Sequence, residues 1–478
     1  MYIGLDLGTS GLKGVLIDEG QKVLAEASAP LTVSRPQDGW SEQSPTDWIA
    51  AAETVLGKLS ARGLSSVRGI GLSGQMHGAT LLDASDNVLR PCILWNDTRS
   101  HREAAELDAD PRFRDISGNI VFPGFTAPKL LWVARHEPAI FARTAKVLLP
   151  KDYLRLWLTG EHLAEMSDAS GTSWLDTGAR DWSDALLAAT GMTRAMMPRL
   201  VEGSEVSGAL RDGLASRFGL PRGVIVAGGG GDNAASAIGV GVVRGGQAFV
   251  SLGTSGVLFA ANDGYRPDPA TAVHTFCHAI PDTWHQMGVI LAATDALNWF
   301  ARLVGSDAAE LTRDIGPLRA PGKTQFLPYL GGERTPLNDA AIRGAFTGLE
   351  HATDRAAATR AVLEGVSFAL RDCRDALAST GTRIDRLLAV GGGSRSDYWL
   401  AAIATALDTA VALPVAGDFG AAFGAARLAI MAATGAGAEV AQMPPIARVI
   451  EPDAALRDAF DEGHARHVAA RDAMKGLT

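Results

Sequence analysis

Only three cysteines, Cys92, Cys277 and Cys373, occur in the 478 residues. Their odd number and wide spacing exclude a disulfide framework and a cysteine-based zinc site; they read as reduced core thiols of a cytoplasmic protein. No run approaches 18 uncharged apolar residues, so no membrane-spanning helix is expected. A basic, apolar, cleavable leader is missing as well, because Asp6 already lies inside the first strand and turn. There is no basic excess. The net charge of −9 argues against nucleic acid as a main partner, since neutralising phosphates needs a basic face.

What the chain does have is a phrase used twice. Residues 6–11 read DLGTSG and residues 251–256 read SLGTSG, so LGTSG starts at Leu7 and again at Leu252, half the chain apart. Each copy joins two short apolar runs, giving a strand, a Gly/Thr/Ser turn and a second strand. Such a turn offers backbone N–H groups and hydroxyls with no bulky side chain in the way, which suits a phosphate. Two of them, one per half, suggest duplicated domains gripping a polyphosphate from opposite sides. Only the first copy carries an acid, Asp6, where the second has Ser251. That asymmetry fits a site in which one loop also serves Mg²⁺, an ion bound through one or two carboxylates and its own waters.

At this length two domains are expected. Strands are predicted at 2–6, 12–17, 22–31, 67–73, 79–83, 93–95, 224–227 and 386–390, with a strand-turn-strand at 247–260. Helices are predicted at 45–60, 99–110, 126–136, 291–303, 353–379, 397–407 and 420–433; the last, GAAFGAARLAIMAA, is built of small residues that allow close backbone packing. Strands separated by helices in both halves indicate two mixed α/β domains, with a boundary near 240–247.

Several polar groups fall at strand ends. Gly228–Gly231 place Asp232 on an approachable backbone at the carboxyl end of a strand, where a carboxylate orients an acceptor hydroxyl and takes its proton; the same Asp suits a helix N-cap. Gln75, Met76 and His77 sit between two glycines and suit the hydroxyls of a small polyol, although a lone His is more often structural or merely exposed. Trp95-Asn96-Asp97 ends the next strand, and Trp95 reads either as a sugar platform or as core. Lys13 is within reach of a phosphate at Ser10 or else simply exposed. Gly391, Gly392, Gly393 and Ser394 form a turn for a nucleotide's base and ribose, and are neither a Walker A loop nor a GxGxxG fingerprint. Arg99, Glu333 and Arg334 are expected to be surface charges.

Together these pieces resemble the FGGY carbohydrate kinases, a branch of the actin/Hsp70/hexokinase ATPase fold. The similarity runs over the whole chain: besides the two LGTSG turns it rests on Trp40-Ser41-Glu42-Gln43 with Trp48, on 125–132 (FTAPKLLW), on 228–233 (GGGGDN), on 331–336 (GGERTP) and on Gly391–Ser394. Four glycines precede Asp232 where three often appear. The resemblance implies a two-domain, ribonuclease H-like α/β fold with an inter-domain cleft, its N-terminal sugar-binding domain at 1–243 and its C-terminal nucleotide-binding domain at 244–478. Residues 73–79 (SGQMHGA) and 94–97 (LWND) resemble the members acting on D-xylulose, whereas glycerol-specific members carry Arg-Glu at Met76-His77. The implied reaction is ATP-dependent, Mg²⁺-dependent phosphorylation of D-xylulose at its C5 hydroxyl, with other ketopentoses or polyols as alternatives and an actin-like switch ATPase as a more distant one. Asp232 would then be the base and Asp6 the carboxylate organising metal and phosphate. Met76, His77, Trp95 and Asn233 would contact the sugar, while Thr9, Ser10, Lys13, Gly253, Thr254, Gly392, Gly393 and Ser394 would hold the nucleotide. A homodimer is suggested by the family alone.

Overall fold

The computed structural model describes residues 1–313, 315–415, 417 and 419–475, so the last three residues of the expected second domain lie outside it. The chain forms two compact units. The first holds Met1–Val243, Phe276–His285 and a stretch ending at Met443; the second holds Arg244–Thr275, Gln286–Gly417 and the chain from Pro444 onward. Two stretches from the second half of the sequence are thus built into the first unit.

In the first unit seven strands form one sheet: β1 (Tyr2–Leu7), β2 (Gly11–Ile17), β3 (Val23–Pro30), β4 (Gly69–Gly74), β5 (Val206–Ala209), β6 (Ile225–Ala227) and β7 (Gly230–Gly231). Their order is β5-β6-β4-β1-β2-β3, with β7 also paired to β4. The hairpin partner β2 is antiparallel to β1, whereas β1, β6 and β7 all run parallel to β4. Strands β1, β2 and β4 are buried along nearly their whole length, as a sheet covered on both faces requires, whereas the edge strand β3 alternates. Helix α1 (Pro45–Ser60) starts on a proline and buries Trp48, Ala52, Val55, Leu56 and Leu59, the three-and-four spacing of a single apolar stripe. Helices α2 (Thr126–His136), α3 (Pro150–Thr159) and α4 (Asp232–Val240) complete what the site needs. The helix expected over 99–110 is confined to His101–Asp108.

A second seven-stranded sheet, most of it in the second unit, repeats the plan. Strands β8 (Gly246–Leu252), β9 (Gly256–Asn262), β10 (His274–Cys277), β11 (Trp284–Ile290), β12 (Ile384–Val390), β13 (Val411–Pro414) and β14 (Ile446–Ile450) lie in the order β10-β11-β9-β8-β12-β13-β14. Here β8 is antiparallel to β9 and parallel to β12, matching β1 with β2 and β4. The duplicated LGTSG therefore marks a duplicated hairpin. Helices α5 (Thr294–Leu303), α6 (Arg355–Ser379) and α7 (Asp397–Leu407) flank this sheet. Leu252, Leu258, Ile290, Val366, Leu387 and Trp399 share its core.

Helix α8 (Ala421–Thr434) returns to the first unit and explains why a single cut does not divide the chain. It lies against β1, β4 and α4 with backbone touching backbone. A Cβ on Gly71 of β4 would stand 1.8 Å from the carbonyl oxygen of Ala425, and one on Gly424 would stand 1.8 Å from that of Ala235. Neither neighbour can yield without moving the helix. Gly71→Ala is therefore expected to lower unfolding free energy by about 3 kcal/mol or more, the upper range for overpacking. Denaturant unfolding of the purified variant checks this, with Gly57→Ala on the open surface of α1 as the tolerated control.

Candidate active site

In the first unit the pieces of the site meet at the carboxyl ends of parallel strands. Asp6 of β1 is in register with Ser73 of β4, which in turn is in register with Gly230 of β7. Ser73 Oγ donates to Asp6 Oδ1 at 2.9 Å. The chain then passes through Gly231, which caps α4, so Asp232 is the first helical residue and not the N-cap that its sequence context allowed. Its Oδ1 accepts from the backbone N–H of Asn233 at 2.7 Å and from Asn233 Nδ2 at 3.0 Å. Asp232 is half-buried. Loss of hydration, and then the neighbouring charge of Asp6, push its carboxyl up to about pKa 6 against the ordinary 3.8. It is still an anion at neutral pH.

The glycines before Asp232 are dictated by packing. Gly229 has φ +82°, and a Cβ there would lie 2.1 Å from the carbonyl oxygen of Leu72; one on Gly228 would lie 2.1 Å from that of Glu202. Any side chain would lift the strand end away from β4 and move Asp232 with it.

Met76 and His77 follow β4. Met76 packs on Gly231, where a Cβ would be 3.0 Å from its Sδ. His77 is held in the left-handed region, φ 69°. Its Nδ1 lies 2.7 Å from the carbonyl oxygen of Gly171, so Nδ1 carries the hydrogen and Nε2 of the neutral ring is an acceptor. The ring stacks on Phe125, centroids 4.5 Å apart and planes 16° apart. Its backbone carbonyl accepts from Thr126 Oγ1 at 3.1 Å and from Lys129 Nζ at 2.8 Å. Lys129 is fully buried on α2, and burial brings its ammonium down to about pKa 7. Sequence reading had only the motif 125–132; a lysine within a buried helix face was the available signal.

The first turn is braced from behind. Trp95, 47% exposed, donates through Nε1 to Thr9 Oγ1 at 2.9 Å, and Thr9 Oγ1 donates to Gln75 Oε1 at 3.0 Å. Gln75 Nε2 donates to Gln43 Oε1, which also accepts from Trp48 Nε1, while Gln43 Nε2 reaches the Thr9 carbonyl at 2.7 Å. Trp95 is thus an exposed platform with its indole edge fixed. Ser10 is exposed at the tip of the turn. Lys13 of β2 pairs with Glu26 of the adjacent β3 at 3.1 Å.

In the second unit the matching turn, Gly253 to Ser255, is tied to the start of α5. Gly253 O accepts from Thr294 N and Oγ1 at 2.9 and 2.7 Å, and Thr254 O accepts from Ala293 N at 2.8 Å. Register places Ser251 of β8 beside Val390 of β12, so Gly391–Ser394 emerge next to this turn. Ser394 Oγ closes on the Gly391 carbonyl at 2.7 Å. Beyond them opens a cavity of about 760 Å³ lined by Gly392, Gly393, Asn298, Arg313, Asp397 and Trp399 among others, a volume that suits a nucleoside.

Two charges expected on the surface, Arg99 and Glu333, are internal, and a third, Arg334, is half-buried. Arg99 is buried between Asp97 and Glu42, each 2.7 Å away, with its guanidinium 3.6 Å over the ring of Trp40. Glu333 is buried too, accepting from Leu291 N and Arg334 N, and burial pushes its carboxyl up to about pKa 8. Arg334, in the same setting, is brought down to about 10. The partners of Arg99 and Glu333 are remote in sequence, so local pattern gives no sign of them.

Two α/β units that each carry a phosphate-suited turn on a common hairpin define a two-domain kinase of the sugar kinase and actin-like ATPase fold. The chain belongs to the FGGY family of carbohydrate kinases: residues 1–239 match that family's N-terminal domain and residues 248–433 its C-terminal domain. It is similar to the xylulose kinase of Escherichia coli K12, 49% identical over 443 residues that cover 91% of this chain and 90% of that protein. It is also similar to a crystal structure described as a xyloylose kinase from Brucella ovis, with 63% identity, TM-score 0.98 and full coverage of both chains. The xylulose kinase structure from Rhodospirillum rubrum matches at 31% identity and TM-score 0.93, over 100% and 99% of the two chains.

The raised carboxyl has a thermodynamic consequence. Because the folded Asp232 binds its proton more tightly than the unfolded one, its contribution to stability is present at low pH and is lost as pH rises through about 6. Asp232→Asn is therefore expected to melt at a higher temperature than the wild type at pH 8, with the gap narrowing toward pH 5. Parallel scanning calorimetry of the two proteins across that range checks it; a gap that does not change with pH contradicts it.

Proposed function

We propose that this chain transfers the γ-phosphoryl group of ATP to the C5 hydroxyl of D-xylulose, giving D-xylulose 5-phosphate and ADP. The reading is carried by Asp232, a carboxylate at the head of α4 that is partly desolvated yet still charged at neutral pH. The substrate class follows the xylulose kinases that this chain resembles over nine-tenths of its length.

In this reading Asp232 hydrogen-bonds the sugar hydroxyl and takes its proton as the O5–phosphorus bond forms and the bond from phosphorus to the ADP oxygen breaks. Phosphoryl transfer passes through a loose transition state, so orientation and charge neutralisation matter more than a strong base. His77 offers Nε2 as an acceptor for another sugar hydroxyl, and its ring cannot rotate while Nδ1 is held by Gly171 and the face by Phe125. Met76 supplies an apolar wall, Trp95 a platform and Asn233 a further amide. Thr9, Ser10, Lys13, Gly253, Thr254, Gly392, Gly393 and Ser394 are assigned to the nucleotide.

The donor set fits Mg²⁺. Among the described residues no three His, Cys, Asp or Glu side chains converge into a closed metal cage. Asp6 instead faces a second carboxylate strongly enough to raise its pKa; an ion bound by one or two carboxylates, its waters and nucleotide phosphates needs no more. Bound there, it would neutralise charge developing on the phosphates. The ATP requirement and the three free, buried cysteines suit a cytoplasmic location, and no described helix is long and apolar enough to cross a membrane.

ADP release tests the proposal with ATP–Mg²⁺ and a panel of D-xylulose, D-ribulose, L-ribulose, gluconate and glycerol. D-xylulose should give the highest kcat/KM, and Asp232→Ala should lose roughly 10²–10⁴-fold in kcat, the usual share of a positioned base. In the wild type kcat/KM should fall on the acid side with a midpoint near pH 6, where Asp232 takes up its proton. A better substrate within the panel would overturn the sugar assignment, and turnover of ATP indifferent to every sugar would overturn the reaction.

A further inference from the structure

Below the glycine strand end lies a group of charges that the reaction as proposed does not use. Lys151, Asp152 and Arg155 of α3, together with Glu165 and Asp168, are all fully buried. Lys151 Nζ lies 2.7 Å from Asp152 Oδ1, 3.4 Å from Asp168 Oδ2 and 3.6 Å from Glu165 Oε1. Arg155 Nη2 lies 3.5 Å from Asp152 Oδ1. Three carboxylates thus face two cations. Burial, and the neighbouring acids Asp152 and Glu165 set against Lys151, raise the Asp168 carboxyl well above the ordinary range. Lys151 stays charged: burial opposes its ammonium, but Asp152, Asp168 and Glu165 outweigh it.

Burying such a group costs several kcal/mol per ion before pairing, and apolar residues of similar volume would serve stability as well or better. Its contacts show what it does instead. Arg155 donates to the carbonyl oxygen of Ala227 at 2.8 Å, to that of Gly228, and to Ser207 Oγ, which itself donates to the carbonyls of Val226 and Ala227. At the other end of the glycine run, Gly231 N donates to Ser167 Oγ at 3.0 Å. Ser167 Oγ in turn donates to Glu165, whose carboxylate also accepts the backbone N–H groups of Ser167 and Asp168. One connected chain of buried polar groups therefore grips both ends of Gly228–Gly231. Asp232 is the next residue.

We propose that the buried group of Lys151, Asp152, Arg155, Glu165, Ser167 and Asp168 is a positioning device for Asp232, clamping the side-chain-free strand end so that the carboxylate is aimed before substrate binds. The inference rests on the reading of Asp232 as the base. Glycines have no side chains with which to hold themselves in place, and they lose the most conformational freedom on ordering. A rigid, charge-assisted clamp replaces the missing side-chain packing. Met76 and His77 follow β4 and are not themselves members of the clamp, so breaking it should cost kcat more than sugar affinity.

The test is steady-state kinetics and sugar binding by calorimetry on Ser167→Ala, Ser167→Thr, Arg155→Lys and Asp232→Asn. Ser167→Ala removes one hydroxyl and creates only a small void, so it keeps the experiment interpretable if Arg155→Lys fails to fold. With the clamp acting as proposed, Ser167→Ala loses at least tenfold in kcat while KM and the calorimetric Kd for D-xylulose change less than threefold. The acid limb of kcat/KM, set by Asp232 beside Asp6, shifts by half a pH unit or more, and Ser167→Thr, which restores the hydroxyl, recovers most of kcat. Wild-type kcat and an unmoved acid limb in folded Ser167→Ala and Arg155→Lys, with Asp232→Asn inactive, would overturn the clamp and leave the base standing. Wild-type turnover by Asp232→Asn would overturn both.

Discussion

The structure depends on one steric constraint: a strand end that must lie flush against the carbonyls of its neighbours. Gly228 and Gly229 sit so close to Glu202 and Leu72 that no side chain fits, and two glycines further on Asp232 stands at the head of α4. On its far side α4 meets α8, again backbone to backbone through Gly424. Asp232 is thus fixed by close packing from two directions. A carboxylate placed by backbone contact has little freedom to drift, and that suits a reaction in which orientation supplies much of the rate.

The same region collects charges that stability alone would not place there. Asp6 and Asp232 repel, and burial raises the cost of both being ionised. Lys129 is fully buried beneath the His77 carbonyl, and five ionisable side chains lie under the glycines. Each such group weakens the fold unless it is fully partnered. Concentrated around one strand end, they describe a site whose geometry takes precedence over stability. The second unit, with the same hairpin, has Ser251 where the first has Asp6, and a cavity opens beyond Gly392 and Gly393.

Much of this was legible in the sequence where the signal was local. The LGTSG turns predicted paired hairpins because two apolar runs flanking a Gly/Thr/Ser turn have few alternatives, and helices 45–60, 126–136 and 397–407 lie where apolar spacing and capping put them. The small-residue helix was expected to pack closely and does so. What could not be read was long-range pairing. Thr9 meets Gln75, Arg155 meets Gly228, and Arg99 meets Glu42 across dozens of residues, and a charge destined for burial looks the same in sequence as one facing water. Asp232 shows the limit within a single residue: its context fitted a helix cap, yet Gly231 caps the helix and leaves the carboxylate to the site.

The most direct test of the account is the titration of Asp232 itself, by difference infrared spectroscopy of its carboxyl stretch, wild type minus Asp232→Asn, from pH 4 to 8. A partly desolvated carboxylate facing Asp6 should take up its proton with a midpoint near pH 6, moving downward in Asp6→Asn. A midpoint near pH 4 that Asp6→Asn leaves unchanged would mean that Asp232 is an ordinary solvated acid, and the arrangement described around it would have lost its purpose.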